Sequence, residues 1–213
     1  MGSVIAFSLF SKAEEDTRTD AQKKEDEIIL LLKRAKLSMM RGQLHGANGF
    51  LHQAIKLAHQ TNNTQAIIYT YSLMANLAYV QGQLDNAEKL FKVAMSFMLS
   101  GGTPQSLVLM SDLATILDMQ GRHDEALPLV KQAVELSREA GHPDQHVLLG
   151  NMAGILLHND LFEESVKLYK ESLALAQSAG DEEALEQIQE GLKEVANRRK
   201  AQKAEEAAKN KTD

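Results

Sequence analysis

MANLAYVQGQLDNAEKLFKVAMSFM, residues 74–98, decides the fold. Apolar residues recur at helical spacing, Gly82 interrupts them, and a second apolar periodicity follows. Glycine most readily takes the left-handed backbone conformation that ends a helix. The segment therefore reads as helix, tight turn, helix. Three other stretches superpose on it without gaps: RAKLSMMRGQLHGANGFLHQAIKLA from Arg34, LATILDMQGRHDEALPLVKQAVELS from Leu113 and MAGILLHNDLFEESVKLYKESLALA from Met152. A small residue recurs at Ala35, Ala75, Ala114 and Ala153. The turn residue follows at Gly42, Gly82, Gly121 and Asp160, and two more small positions at Ala47, Ala87, Ala126, Ser165 and Ala54, Ala94, Ala133, Ser172. Small residues suit close helix crossings, because a larger side chain pushes the axes apart. Leu51, Phe91, Val130 and Tyr169 share one position and are expected to pack into the next hairpin. A single hairpin cannot bury its apolar face, so the units must stack.

Working outward, the pattern predicts helices over 21–41, 44–60, 64–81, 84–99, 104–120, 123–140, 144–159 and 162–178. Asp20, Thr64 and Thr103-Pro104 mark starts, and Asn62-Asn63, Gly101-Gly102, Gly141 and Gly180 mark linkers. A ninth helix begins after Asp181, where Leu185, Ile188, Leu192 and Val195 form one apolar stripe. The expected organisation is a lead-in over 1–20, a four-repeat helical solenoid over 21–180, a capping helix over 181–197, and a solvated helix extension or tail over 198–213. The fourth repeat, with Asp160, Ser165 and Ser172 in place of Gly, Ala and Ala, should form less tightly than the others.

Composition agrees with an all-α fold. Hydrophobic residues are 44% of the 213, aromatics 5%, proline occurs three times, and strong helix formers dominate. Cysteine is absent, which removes disulfides, thiolate metal sites and cysteine nucleophiles. The net charge of −6 and the lack of a basic run before residue 198 argue against nucleic acid as a partner. The sequence holds no run of 18 apolar residues, so no helix spanning a bilayer is expected. Residues 4–10, VIAFSLF, admit two readings, an apolar lead-in or the remnant of an upstream membrane anchor.

Metal and catalytic chemistry find no motif. His45, His52 and His59 fall seven apart, about 10.5 Å along a helix, too far to share a zinc ion. His142 and His146 are four apart, but Pro143 puts His142 before the helix proper, so packing or capping is the expected role. Gly-x-Ser-x-Gly, Walker A and Gly-x-Gly-x-x-Gly patterns are absent. No cofactor and no catalysis are expected, and the methionines read as core.

The Gly and Ala spacings resemble the tetratricopeptide repeat, with a period of 40, 39 and 39 residues between the small residues Ala35, Ala75, Ala114 and Ala153 where that family has about 34. The fold class is thus all-α: a right-handed tetratricopeptide-type α-solenoid of four helical hairpins plus a C-terminal capping helix. The resemblance implies a concave groove lined by the first helix of each hairpin. It selects Ser72, Asn76, Tyr79 and Val80 in repeat two, and Ser111, Thr115, Asp118 and Met119 in repeat three. In repeat four it selects Gly150, Gly154, Leu157 and His158, with Tyr69, Val108 and Val147 one turn earlier on the same face. The lining lacks the Lys, Arg and Asn set with which chaperone-tail-binding members clamp a carboxylate. An apolar or basic extended segment, or a helix, fits it better, with Asp118 and Asp112 as the negative edge.

Three stretches carry a closer resemblance: AFSLFSKAEEDTRTDAQKKEDEIILLLKRAKLS (6–38), YTYSLMANLAYVQGQLDNAEKLF (69–91) and LVLMSDLATILDMQGRHDEA (107–126). Together they resemble the mitochondrial tetratricopeptide repeat protein 19 family. That resemblance implies a non-catalytic inner-membrane protein supporting respiratory complex III, through clearance of Rieske protein N-terminal fragments. Its members carry an upstream targeting and membrane segment that this sequence lacks, and a longer middle where this chain has LSGGTPQ. Complex III subunits and Rieske fragments are then the expected partners, and membrane association would run through the missing segment. The alternative is a generic soluble repeat adaptor of another compartment that binds an extended or helical peptide.

Overall fold

The computed structural model describes residues 16–98 and 104–210. The lead-in motifs before Asp16 and the Gly101-Gly102-Thr103 signal lie outside those residues. The described chain forms nine helices: α1 Asp20–Met40, α2 Leu44–Gln60, α3 Thr64–Val80, α4 Leu84–Ser96, α5 Pro104–Met119, α6 His123–Ala140, α7 Gln145–His158, α8 Phe162–Ala179 and α9 Glu182–Lys209. Helices pair α1 with α2, α3 with α4, α5 with α6 and α7 with α8, and each hairpin leans on the next. The result is the expected solenoid, without strands among the described residues.

The turns are built as the glycines require. Gly42, Gly82 and Gly121 take φ of 70°, 74° and 76°. At each turn the next residue's N–H closes the helix end, Gln43 on the Ser38 carbonyl, Gln83 on Ala78 and Arg122 on Leu117, at 2.8–2.9 Å. The fourth turn follows the same path without glycine. Asp160 sits at φ 59° and the Leu161 N–H reaches the Leu156 carbonyl at 2.9 Å. Aspartate tolerates this conformation better than most residues, so the fourth hairpin closes as tightly as the others.

All twelve small-residue positions are fully buried. In the fourth repeat the serines stay because their hydroxyls are satisfied by α7: Ser165 Oγ donates to the Ala153 carbonyl at 2.7 Å and Ser172 Oγ to the His146 carbonyl at 2.6 Å. Leu51, Phe91 and Val130 are buried, and Tyr169 nearly so.

Several helix ends differ from the expected ranges, most by one residue. Thr19, not Asp20, caps α1, in a reciprocal capping box with Gln22. Asn63, not Thr64, caps α3 by accepting the Ala66 N–H at 3.1 Å. In each case the chain gains the residue whose oxygen reaches three positions on. α4 ends at Ser96 rather than 99, where Phe97 stacks on Tyr71 and meets His59 edge-on. α9 continues past 197 to Lys209 as the solvated helix extension of the two expected forms, exposed on every described residue beyond Arg199.

α9 contacts both α8 and α7, as the first helix of a fifth hairpin would. Ile188 and Val195 are buried, and Leu185 and Leu192 pack beside them against Phe162, Tyr169 and Leu157. Asp181 caps it, accepting the Ala184 N–H at 3.0 Å while its second oxygen holds buried His146 at 2.8 Å. The backbone N–H of Ala184 and then the His146 ring keep the Asp181 carboxyl below the ordinary range.

Candidate functional site

The concave face is lined by α3, α5, α7 and α9, and three cavities open along it. The first, of about 280 Å3, lies between α3 and α5 and is walled by Tyr69, Ser72, Asn76, Val108 and Asp112, with His142 to Asp144 of the α6–α7 connection at its rim. The second, of about 310 Å3, continues it past Asp112 to Tyr79, Thr115, Asn151 and Gln187. The third, of about 270 Å3, lies between α5, α7 and α9 and touches Thr115, Asp118, Val147, His158, Tyr169 and Gln187. The structure thus brings Tyr69, Ser72, Asn76, Tyr79, Val108, Thr115, Val147 and His158 onto one surface. Val80 and Met119 are exposed, at the ends of α3 and α5.

Three expected lining residues do not offer free side chains. Leu157 is 3% exposed and belongs to the core beneath α9. Ser111 is fully buried and accepts the Asn151 side-chain N–H at 2.9 Å. Asp118, expected as an exposed acidic edge, is 4% exposed and already occupied. One oxygen accepts from His123 Nδ1 at 2.5 Å and the other from His158 Nδ1, tying α5 to the start of α6 and the end of α7. A buried carboxylate engaged by a ring on each oxygen is a brace between helices rather than an open acidic edge of the groove.

Repeat four contributes less open floor than its register suggests. A Cβ on Gly150 would stand 3.4 Å from Ser172 Oγ, and one on Gly154 3.4 Å from Tyr169 Oη. These glycines admit α8 side chains closely. α9 then supplies groove wall through Ala184 and Gln187, a contribution the apolar stripe alone did not reveal.

The polar chemistry that remains is sparse. Ser72 Oγ donates to the Ile68 carbonyl at 2.8 Å and Thr115 Oγ1 to the Ser111 carbonyl at 3.1 Å, both within their own helices. Asp112 has no hydrogen bond or ion pair to any described residue, and burial pushes its carboxyl up to about 6. Among the described residues lining the three cavities there is no lysine or arginine. No group of three potential metal ligands occurs among the described residues. His142 and His146 serve packing: His142 Nδ1 accepts the Asp144 N–H at 2.9 Å.

A family model described as the MalT-like TPR region matches residues 3–163. The chain is similar to curated relatives named "Tetratricopeptide repeat protein 19, mitochondrial". Identity is 71% over 101 residues with the one from Danio rerio, covering 47% of this chain and 25% of that protein. It is 58% over 85 residues with the one from Homo sapiens, covering 40% and 22%. The matched stretches therefore span about a quarter of those relatives' length. Among solved structures, a Podosopora anserina putative kinesin light chain with TPR-like repeats superposes at TM-score 0.62, covering 91% of this chain and 96% of that one at 17% identity. Aspartyl phosphate phosphatase F from Bacillus subtilis superposes at TM-score 0.67, covering 81% and 45% at 16% identity. At those identities the likeness is one of fold.

Proposed function

Because the chain belongs to the MalT-like tetratricopeptide repeat family, we propose that it is a non-catalytic mitochondrial scaffold whose concave groove holds a basic amphipathic segment of another protein. The process it serves is maintenance of respiratory complex III at the inner membrane, through removal of Rieske protein N-terminal fragments. The observation that carries the reading is the groove itself, apolar and acidic without a lysine or arginine among the described residues of its lining, in a chain similar to curated relatives named as mitochondrial. Mitochondrial presequences are amphipathic, Arg-rich and acid-poor, which is the complementary chemistry.

The work of such a site is desolvation and steering. Tyr69, Tyr79, Val80 and Met119 are exposed apolar surface. Covering it with the apolar face of a partner returns about 25 cal/mol per Å2, and aromatic anchors concentrate such energy. The net charge of −6 draws cationic segments toward the protein. The groove hydroxyls of Ser72 and Thr115 donate to backbone carbonyls rather than to a base, which supports holding rather than chemistry.

Affinity purification of the tagged full-length protein from mitochondria tests the proposal. Complex III subunits and Rieske N-terminal fragments should be enriched over a control in which Tyr69 and Tyr79 are both changed to Ala. Equal recovery with both baits, or recovery of neither, refutes it.

A further inference from the structure

Asp112 lies on α5 where the first two cavities meet, and it lines both. None of the side-chain donors that line the two cavities with it bonds to it. The Ser72 and Thr115 hydroxyls donate to their own helices, and the Asn151 amide donates to Ser111 Oγ. Asp144, exposed at the rim of the first cavity, adds a second carboxylate instead of compensation. A carboxylate withdrawn from water without a partner is costly to keep, whereas the neighbouring acid Asp118 is braced by two histidines. Apolar and aromatic surface flanks Asp112 on both sides, Tyr69 and Val108 on one and Tyr79 on the other.

We propose that Asp112 is a socket for one cationic side chain, lysine or arginine, of an amphipathic segment bound in the groove, with the residues flanking that cation seated in the two cavities beside it. The inference deepens the proposed function and rests on its premise that the groove binds such segments. It makes Asp112 the residue that selects a basic over a neutral segment. The tyrosines supply contact area that any apolar partner can use, while the carboxylate rewards only a positive charge. A charge-assisted hydrogen bond to this half-buried acid discriminates strongly, because a neutral competitor covers the acid and leaves it unmatched.

Binding to the acid must compete with its protonation. The carboxyl stands at about 6, so its ionised form, and the preference for a cation, should fade as pH falls from 7.5 through 6. The other titratable groups facing it are His142 and Asp144 from the α6–α7 connection and Tyr69 and Tyr79 from α3. They remain in Asp112→Asn, so the part of the pH response lost in that variant belongs to Asp112.

The test is fluorescence anisotropy with the full-length chain and labelled helix-forming peptides of 15 residues. Apolar residues are placed at i, i+3, i+4 and i+7, and one central position carries arginine, lysine, citrulline or norleucine. At pH 7.5 the arginine or lysine peptide should bind at least about tenfold tighter than its neutral counterpart, the factor expected of one charge-assisted hydrogen bond. In Asp112→Asn that gap should shrink below about twofold. If the wild-type protein binds charged and neutral peptides equally, the socket is refuted and the groove reading stands. A cation preference undiminished in Asp112→Asn likewise refutes the socket. If no peptide binds at all, both readings fall. The wild-type comparison of arginine with citrulline decides the matter even where the variant folds poorly.

Discussion

Gly191 and Gly49 are both helical glycines, in α9 and α2, and replacing each by alanine should move stability in opposite directions. Alanine is favoured over glycine in a helix interior by about 1 kcal/mol. At Gly49 nothing lies within 4 Å of the position a Cβ would take, so Gly49→Ala should gain about 0.5–1 kcal/mol. At Gly191 the same Cβ would fall 2.4 Å from Tyr169 Cζ, 2.5 Å from Oη and 2.7 Å from Cε1, where ordinary contact begins at 3.4 Å. Tyr169 is 7% exposed and its hydroxyl end is already close to Gly154. The ring must therefore retreat by about 1 Å or α9 must lift, and overpacking of this kind costs about 1–3 kcal/mol. That exceeds the propensity gain, so Gly191→Ala should lose about 1 kcal/mol net. Thermal and urea melts by far-UV circular dichroism measure both variants, with about 2–4 °C of Tm expected per kcal/mol at this chain length. In a Tyr169→Ala background the obstacle is gone, and Gly191→Ala should become stabilising. A Gly191→Ala protein more stable than its parent with Tyr169 present would refute the packing of α9 on α8.

Deleting residues 182–213 exposes Phe162, Tyr169 and Leu157 and withdraws buried Ile188 and Val195. Those two are worth about 1.5–3 kcal/mol each if fully buried, so early melting of the last hairpin or self-association by light scattering is expected. Deleting 200–213 should leave the melt unchanged, since those described residues are exposed. Asp118→Asn weakens both histidine contacts of the brace and should cost about 2–3 kcal/mol in chemical denaturation, while Asp124→Asn on the exposed start of α6 should cost little. The Asp112 carboxyl is raised in the folded protein to about 6 from an ordinary 3.8. The unfolded chain thus ionises first as pH rises, and this group's contribution to stability, full below about pH 4, declines until pH passes about 6. Asp112→Asn should melt level with the parent near pH 4 and increasingly above it towards pH 7, a pH-independent offset being the result that contradicts the burial.

The hairpins were legible because what specifies them is local or strictly periodic. A left-handed turn needs glycine or a tolerant residue at one position, and a close helix crossing needs a small residue at another. Both requirements repeat in a string of letters with no knowledge of neighbours. Even the serines of repeat four keep the small volume the crossing demands, though only the fold shows the α7 carbonyls that accept their hydroxyls. The groove positions came from the resemblance to the tetratricopeptide repeat, and eight of the residues it selected lie on one surface. Tertiary structure alone decided what each groove residue is free to do. Asp112 and Asp118 are two acids on one helix, alike in sequence. His158, forty residues away, and His123 reach Asp118, while no side-chain donor of the described residues reaches Asp112. The difference arises because neighbouring first helices approach at particular heights, and side-chain reach across that gap is a matter of ångströms that periodicity does not encode. α9 shows the same division: its apolar stripe announced a cap, but only its seat beside α7 and α8 turned Ala184 and Gln187 into groove wall.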